Sequence, residues 1–184
     1  NVSGKKGNAL IGAYDADGNI VWSWHIWVTD TPAEHEYINY SSVHFGTYMD
    51  RNLGALTATP GEAGIAGLLY QWGRKDPFLT SGDIASATPN TVASSVLSED
   101  VQWMVIPSSQ VVGTVAFATK NPTTFITGVS PNYSWLHTPD ISLWGNDKTI
   151  YDPCPAGWKV AQSELGVNLR VVFYVGDPVF TFGC

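Results

Sequence analysis

Few residues in this chain have the chemistry of a metal or catalytic site, and their spacing completes no known motif. His35-Glu36 begins like the helical zinc motif of metalloproteases, but Asn39 stands where the second histidine is required. We therefore interpret this segment as a polar loop. The sequence also lacks a serine nucleophile elbow, a phosphate-binding loop and a paired-cysteine metal knuckle. We expect neither catalysis nor a bound metal or cofactor.

A second acidic group resembles the start of a calcium-binding loop. Asp15, Asp17 and Asn19 have the spacing of the first three ligands of an EF-hand. Ile20 stands where that loop needs glycine, and Ile26 stands where it needs the closing glutamate. We favour a hairpin turn, because an Asp-Gly pair here separates two apolar runs. A partial calcium site is the alternative.

Two tryptophans in a proline-punctuated region are the candidate ligand-binding residues. Trp135 and Trp144 lie there, with Asn146 and Asp147 close by in the sequence. An exposed aromatic face beside oriented polar groups suits the recognition of a sugar or a peptide. The alternative is that both indoles fill gaps beneath long loops. We expect recognition to come from the loops between residues 79 and 147 and from the tail.

Other polar groups have a structural interpretation. We expect His25 to be a buried, hydrogen-bonded residue of the core. Asp50-Arg51 is interpreted as an ion pair that holds a loop. Arg74-Lys75-Asp76 is interpreted as the charged end of a helix.

The elements that position these residues begin with a hairpin. Residues 8–14 and 20–28 are predicted strands joined by a tight turn. Residues on alternate positions of the second strand share a face. One face carries Trp22, Trp24 and Ile26, and the other carries Val21, Ser23, His25 and Trp27. Because both faces carry aromatic rings, we predict a central strand of a sheet.

The rest of the chain predicts a mixture of elements. Residues 29–47 and 79–100 are polar and predict loops. Apolar residues at helical spacing predict an amphipathic helix within residues 61–73, namely Ile65, Leu68, Leu69 and Trp72. Residues 101–106 and 111–118 could be strands or a helix, and residues 169–182 predict two strands.

Composition limits the class of protein. The 184 residues fit one domain, 1–184, and charged residues make up only 14% of them, against roughly 25% in an average soluble domain. Low charge with many aromatic residues and turns indicates an α+β or β module outside the cytoplasm. The few basic residues are scattered, so nucleic-acid binding is not expected at a net charge of −7. No apolar run is long enough for a transmembrane segment.

Cys154 and Cys184 are the two cysteines of the chain. In an oxidising compartment we expect them to pair, closing a loop of about 30 residues and stabilising the fold by roughly 3–4 kcal/mol. Two unrelated buried thiols are the alternative.

Three blocks of sequence resemble a known family. They are residues 18–27 (GNIVWSWHIW), residues 49–55 with 67–78 (MDRNLGA and GLLYQWGRKDPF), and residues 148–160 (KTIYDPCPAGWKV). Their order and spacing are similar to those of the Fibrobacter-type major paralogous domain and its fimbrillin-like relatives in gut bacteria. The resemblance covers residues 8 to 160. Relatives continue for many residues beyond the last block, whereas 24 residues follow Val160 here.

The resemblance implies a C-type-lectin-like α+β fold, with a small irregular antiparallel sheet, one or two helices and long loops. It also implies that Cys154 pairs with Cys184. Members are exported proteins, anchored to the outer membrane or built into a pilus. The implied function is a non-enzymatic adhesion module that binds a host or bacterial surface glycan or protein. The alternatives are a pilus-assembly subunit whose partners are other pilins, and an enzyme of the formylglycine-generating type, which needs reactive thiols.

Overall fold

The computed structural model describes residues 5–38, 44–62, 64–78, 90–92, 101–131, 133–160, 179–180 and 184. Short strands, a short α-helix and many turns agree with the expected α+β class. The strands are β1 (Gly7–Tyr14), β2 (Ile20–Val28), β3 (Glu34–Ile38), β4 (His44–Met49), β5 (Tyr70–Gln71), β6 (Asn90–Val92), β7 (Val101–Pro107), β8 (Thr124–Thr127) and β9 (Val179–Phe180). The helices are α1 (Val115–Lys120) and a 3₁₀ helix (Ile141–Trp144).

The strands of the described residues form four small sheets instead of one. Their orders are β1-β2, β3-β4, β5-β9 and β6-β7-β8. All pairs are antiparallel except β7 and β8, which are parallel. A parallel pair needs a long crossover connection, and the segment that contains α1 supplies it. The predicted short antiparallel pairing is therefore confirmed in part, since the described strands form several small sheets and include one parallel pair.

The β1–β2 hairpin forms as predicted, but the predicted central position of β2 is wrong. Asp15 accepts hydrogen bonds from the backbone N–H groups of Asp17 and Asn19, which closes the turn. Among the described residues, β2 pairs with β1 alone. Trp27 lies on the face that packs on the core, whereas Trp24 lies on the face exposed to solvent.

Strands β3 (Glu34–Ile38) and β4 (His44–Met49) lie where a loop was predicted for residues 29–47. Strand β3 pairs with β4, and His35 lies opposite Tyr48. Glu34, His35 and Glu36 are all exposed. Their polarity reflects a strand with solvent on both faces, which polarity alone does not distinguish from a loop.

The predicted helix within residues 61–73 is absent from the described part of that segment, which consists of turns and bends with the short strand β5 near its end. Glycines with positive φ interrupt it, including Gly67 at 76° and Gly73 at 83°. A Cβ atom on Gly67 would lie 2.8 Å from the Leu53 carbonyl oxygen. The backbone therefore needs glycine there to turn beneath residues 52–54. The α-helix lies instead at Val115–Lys120, in a segment whose type the sequence left open.

The main core lies beneath the first hairpin and includes the disulfide. Its buried members are Met49, Leu53, Leu68, Tyr70, Trp144, Cys154, Val160 and Cys184. The Cys154–Cys184 pairing is confirmed, with Cα atoms 5.9 Å apart. The Cys184 carbonyl accepts a hydrogen bond from the Met49 N–H, so this residue is fastened to the end of β4.

Two predictions fall largely outside the described residues. Of the predicted loop at 79–100, only β6 is described, and of the two predicted tail strands, only β9 is described. In the part of the chain that the structure describes, no helix is long and apolar enough to cross a bilayer.

Candidate binding surface

Trp135 and Trp144 are buried, so the prediction that they offer exposed faces to a ligand is wrong. Trp135 is 2% exposed and Trp144 is 1% exposed. Each indole N–H donates to a backbone carbonyl, at 2.6 Å to Trp72 and 2.8 Å to Tyr151. A buried tryptophan needs such an acceptor, and here both rings fill gaps beneath loops.

The two polar neighbours in that prediction lie at the surface. Asn146 and Asp147 are exposed after the 3₁₀ helix, and the Asn146 carbonyl accepts a hydrogen bond from the Lys159 ammonium at 2.8 Å. The tryptophans and these polar residues therefore do not form one surface, because the rings point into the core.

The exposed tryptophan lies instead on β2. In the register of the hairpin, Ile11 is opposite Trp24 and Ala9 is opposite Ile26, so these four side chains share one face. We call them the apolar hairpin face. Trp24 is 50% exposed, Ile11 52% and Ile26 40%. Directly opposite residues in an antiparallel pair are close enough to contact, so the face is a continuous apolar strip.

The opposite face of the hairpin packs on the core through the apolar Leu10 and Trp27 and through polar groups. The Asn8 amide donates to the Gly54 carbonyl at 2.8 Å, which turns its oxygen toward His25 Nε2 at 2.9 Å. His25 Nδ1 then accepts from the Tyr70 hydroxyl at 3.0 Å. This orientation assigns a neutral ring with its proton on Nε2. Burial lowers the pKa of His25 to about 4.

A buried ion pair fastens the middle of β2. Lys75 and Asp76 form a salt bridge at 2.7 Å, and their side chains are 8% and 2% exposed. Lys75 also donates to the Ser23 carbonyl at 2.9 Å, while the Ser23 hydroxyl donates to Asp76 at 2.8 Å. The ammonium lies 4.5 Å from the centre of the Trp22 ring. Burial lowers the pKa of Lys75, and Asp76 opposes that shift.

The prediction that Arg74-Lys75-Asp76 forms the charged end of a helix is wrong, as the contacts of Arg74 also show. Its guanidinium is buried and donates to the Thr124 carbonyl at 2.7 Å and to the Gln71 side chain at 3.0 Å. Burial lowers the pKa of Arg74. Residues 74–76 therefore connect core segments that are distant in sequence, and they do not cap a helix.

The predicted Asp50-Arg51 ion pair is confirmed. Arg51 Nε lies 2.7 Å from one Asp50 oxygen, and a second guanidinium nitrogen lies 2.7 Å from Asp30. The Arg51 side chain is 4% exposed. The pair therefore connects the chain after β4 to the chain after β2 and holds both hairpins at one end.

A small cavity lies next to the buried ion pair. It is lined by the segment 73–76, by α1, and by Trp135 and Tyr151. Its volume is about 10 Å³, which is room for about one water molecule. A cavity of this size cannot admit an organic substrate to Lys75 or Asp76.

The carboxylate of Asp15, at the candidate calcium position, is used by the fold. No group of three histidine, cysteine or acidic side chains among those residues is placed to hold a metal ion. Asp15, at the candidate calcium position, has its pKa lowered by hydrogen bonds from Asn19. Its oxygens serve the hairpin turn.

The exposure of Trp24 was missed from the sequence. The alternation of residues along β2 placed it on a face but could not say which face is buried. The sequence contained one signal, since Ala9, Ile11, Trp24 and Ile26 are all apolar. Ser23 and His25, on the other face, require hydrogen-bond partners when they are buried.

Comparisons of the whole chain found no matching protein family, curated protein or solved structure.

Proposed function

We propose that this chain is a non-enzymatic binding module displayed at the cell surface, on the outer membrane or on a pilus, and that the apolar hairpin face is its contact surface. The observation that carries the proposal is Trp24, half exposed in a strip without a polar side chain. Contiguous exposed apolar patches mark interaction sites on soluble proteins. The partner class is a glycan or protein of a host or bacterial surface.

We also propose that the chain is related to the fimbrillin-like family and that it has a C-type-lectin-like fold. Its support is the three sequence blocks, together with small sheets, a short α-helix and a disulfide that joins Cys154 to Cys184. A disulfide also fits an oxidising compartment outside the cytoplasm.

Two observations support a binding module over an enzyme of the formylglycine-generating type. Such an enzyme needs reactive thiols, and both cysteines of this chain are joined in a disulfide. The cavity beside Lys75 and Asp76 holds no more than about one water molecule.

The test is binding of the labelled chain to arrays of glycans and surface proteins, and to bacterial and host cells. Trp24→Ser should weaken binding at least about tenfold, because an aromatic anchor at the centre of a contact carries much of its energy. Ile141→Ser is the matched control, since Ile141 is also apolar and 83% exposed but lies outside the hairpin. Full binding by a folded Trp24→Ser variant would refute the proposal.

A pilus-assembly subunit is the second candidate. The β5–β9 ladder favours it, because two residue pairs join these strands among the described residues and a neighbouring pilin could replace a strand held by so few pairs. Strand exchange should yield polymers that resist mild detergent. If such polymers form equally with Trp24→Ser, assembly through β9 replaces the binding module as the better account.

A further inference from the structure

We infer that the apolar hairpin face binds the same face of a second copy of this chain, so that the contact is homophilic. The inference rests on the proposed function, because it names the partner of the same surface. Two observations carry it, the chemistry of the face and the charges at its two ends, and the area of the face sets the expected strength.

The chemistry of the face fits a protein surface better than a sugar. Ala9, Ile11 and Ile26 offer no hydrogen-bonding side chain, and the Trp24 indole N–H has no hydrogen-bond partner among the described residues. A sugar site needs several placed polar groups that meet the hydroxyls. An apolar strip instead gains free energy when it is covered by another apolar surface.

The two ends of the hairpin carry opposite charges. Lys5 is exposed just before β1 begins, and Asp17 is exposed in the turn after β1 ends. Ile11 lies midway, six residues from each. A two-fold axis through the Ile11–Trp24 pair would therefore place Lys5 of one copy over Asp17 of the other, and the reverse at the opposite end.

The dimensions of strands allow this arrangement. Lys5 lies about 20 Å from Ile11 along the extended chain, whereas Asp17 lies in the turn beyond Tyr14 and is closer to Ile11. Sheets that pack face to face lie about 10 Å apart with their strands within about 30°. Opposite charges then lie about one Debye length apart or slightly more in 0.1 M salt, so their attraction acts mainly at lower salt. The charges favour the antiparallel orientation, and the apolar centre supplies most of the attraction.

The area predicts a weak dimer. A large aromatic side chain buries about 150–250 Å². Ile11, Trp24 and Ile26 are each about half exposed, so the strip offers about 300 Å² per copy. Two copies bury about 600 Å², below the roughly 1,200 Å² of a stable complex. We expect a dissociation constant between about 10 μM and 1 mM. Contacts of this strength hold surfaces together when many copies act at once.

The first experiment is sedimentation equilibrium of the oxidised 184-residue chain from about 1 μM to about 2 mM, a range that spans the expected dissociation constant. Concentration-dependent dimerisation should weaken at least about tenfold in Trp24→Ser and in Ile11→Thr, and Ile141→Ser should leave it unchanged. Near-ultraviolet circular dichroism checks that each variant is folded. The inference is overturned if the chain stays monomeric over the whole concentration range. It is also overturned if dimerisation is equally strong in the unmodified chain and in both hairpin variants.

A charge exchange tests the geometry. Lys5→Asp alone and Asp17→Lys alone each place like charges opposite one another, so each should dimerise less than the unmodified chain. Mixed together, the two variants restore opposite charges at both ends, and a heterodimer should form at low salt. Failure of the mixture to associate better than either variant alone overturns the antiparallel arrangement.

The two proposals fail separately. If Trp24→Ser abolishes binding to cells or arrays while the chain is monomeric, the hairpin face is a contact surface for a different partner and only the homophilic inference fails. If the chain dimerises through Trp24 but coated beads neither cluster nor bind any cell, the dimer stands and the adhesive function fails.

Discussion

The two faces of the β1–β2 hairpin differ in which side chains they bury. The face on the core carries Ser23 and His25 beside the apolar Leu10 and Trp27, while the solvent face carries Ile11 and Trp24. The polar groups can be buried because they have partners, so their desolvation is offset by hydrogen bonds. The apolar face has no such compensation. A hairpin that buries polar groups on one face and leaves large apolar side chains exposed on the other has the exposed face available for a partner.

The largest expected effect comes from breaking the buried face at its ion pair. Asp76→Ala should lower the free energy of unfolding by about 3–5 kcal/mol, because it leaves the Lys75 ammonium buried without its carboxylate. Urea denaturation measures the change. The double variant Lys75→Met, Asp76→Leu removes both charges and should recover most of the loss. If Asp76→Ala is as stable as the unmodified chain, the pair does not hold the hairpin.

Reduction of the disulfide should have the next largest effect. The Cys154→Ala, Cys184→Ala variant should lose about 3–4 kcal/mol, because the cross-link restricts the unfolded chain over a separation of 30 residues. The loss should appear as a lower urea midpoint under oxidising conditions. In dithiothreitol, the unmodified chain should approach the midpoint of the variant, and a persistent difference would contradict this explanation.

Protonation of His25 at acidic pH should lower the free energy of unfolding. The pKa is about 4 in the fold and 6.5 in the unfolded chain, so the unfolded chain binds the proton more tightly. Stability is therefore complete above pH 6.5 and falls as pH decreases to 4, by about 3 kcal/mol at the lower limit. The free energy of unfolding measured across this range gives the slope. His25→Gln should flatten it, and an unchanged slope would assign the effect to other groups.

The smallest effect on stability is expected on the solvent face. Trp24→Ser should change the free energy of unfolding by less than about 1 kcal/mol, since half of the side chain is already in water. Trp144→Ala, at 1% exposure, should cost about 3–5 kcal/mol. Thermal and urea denaturation of the two variants compare the tryptophans directly. Equal losses would mean that Trp24 is a core residue and would remove the basis of the contact surface.

Local patterns in the sequence predicted part of this fold. The Asp-Gly turn and the alternation along residues 20–28 predicted the first hairpin, and the Asp50-Arg51 pair was also found. The pattern at residues 61–73 failed, because glycines with positive φ replace the helix that the apolar spacing suggested. The candidate site failed in its tryptophans, because Trp135 and Trp144 lie beneath the loops that carry them.

The sequence by itself determined the hairpin, its alternation of faces and the two cysteines available for a disulfide, because these depend on neighbouring residues and their covalent chemistry. Only the tertiary structure decided which face of the hairpin is buried. The partners of Ser23 and His25 are Asp76 and Tyr70, which lie 53 and 45 residues away in the sequence. Hydrogen bonds over such separations are made by the folded chain, and they leave Trp24 in solvent.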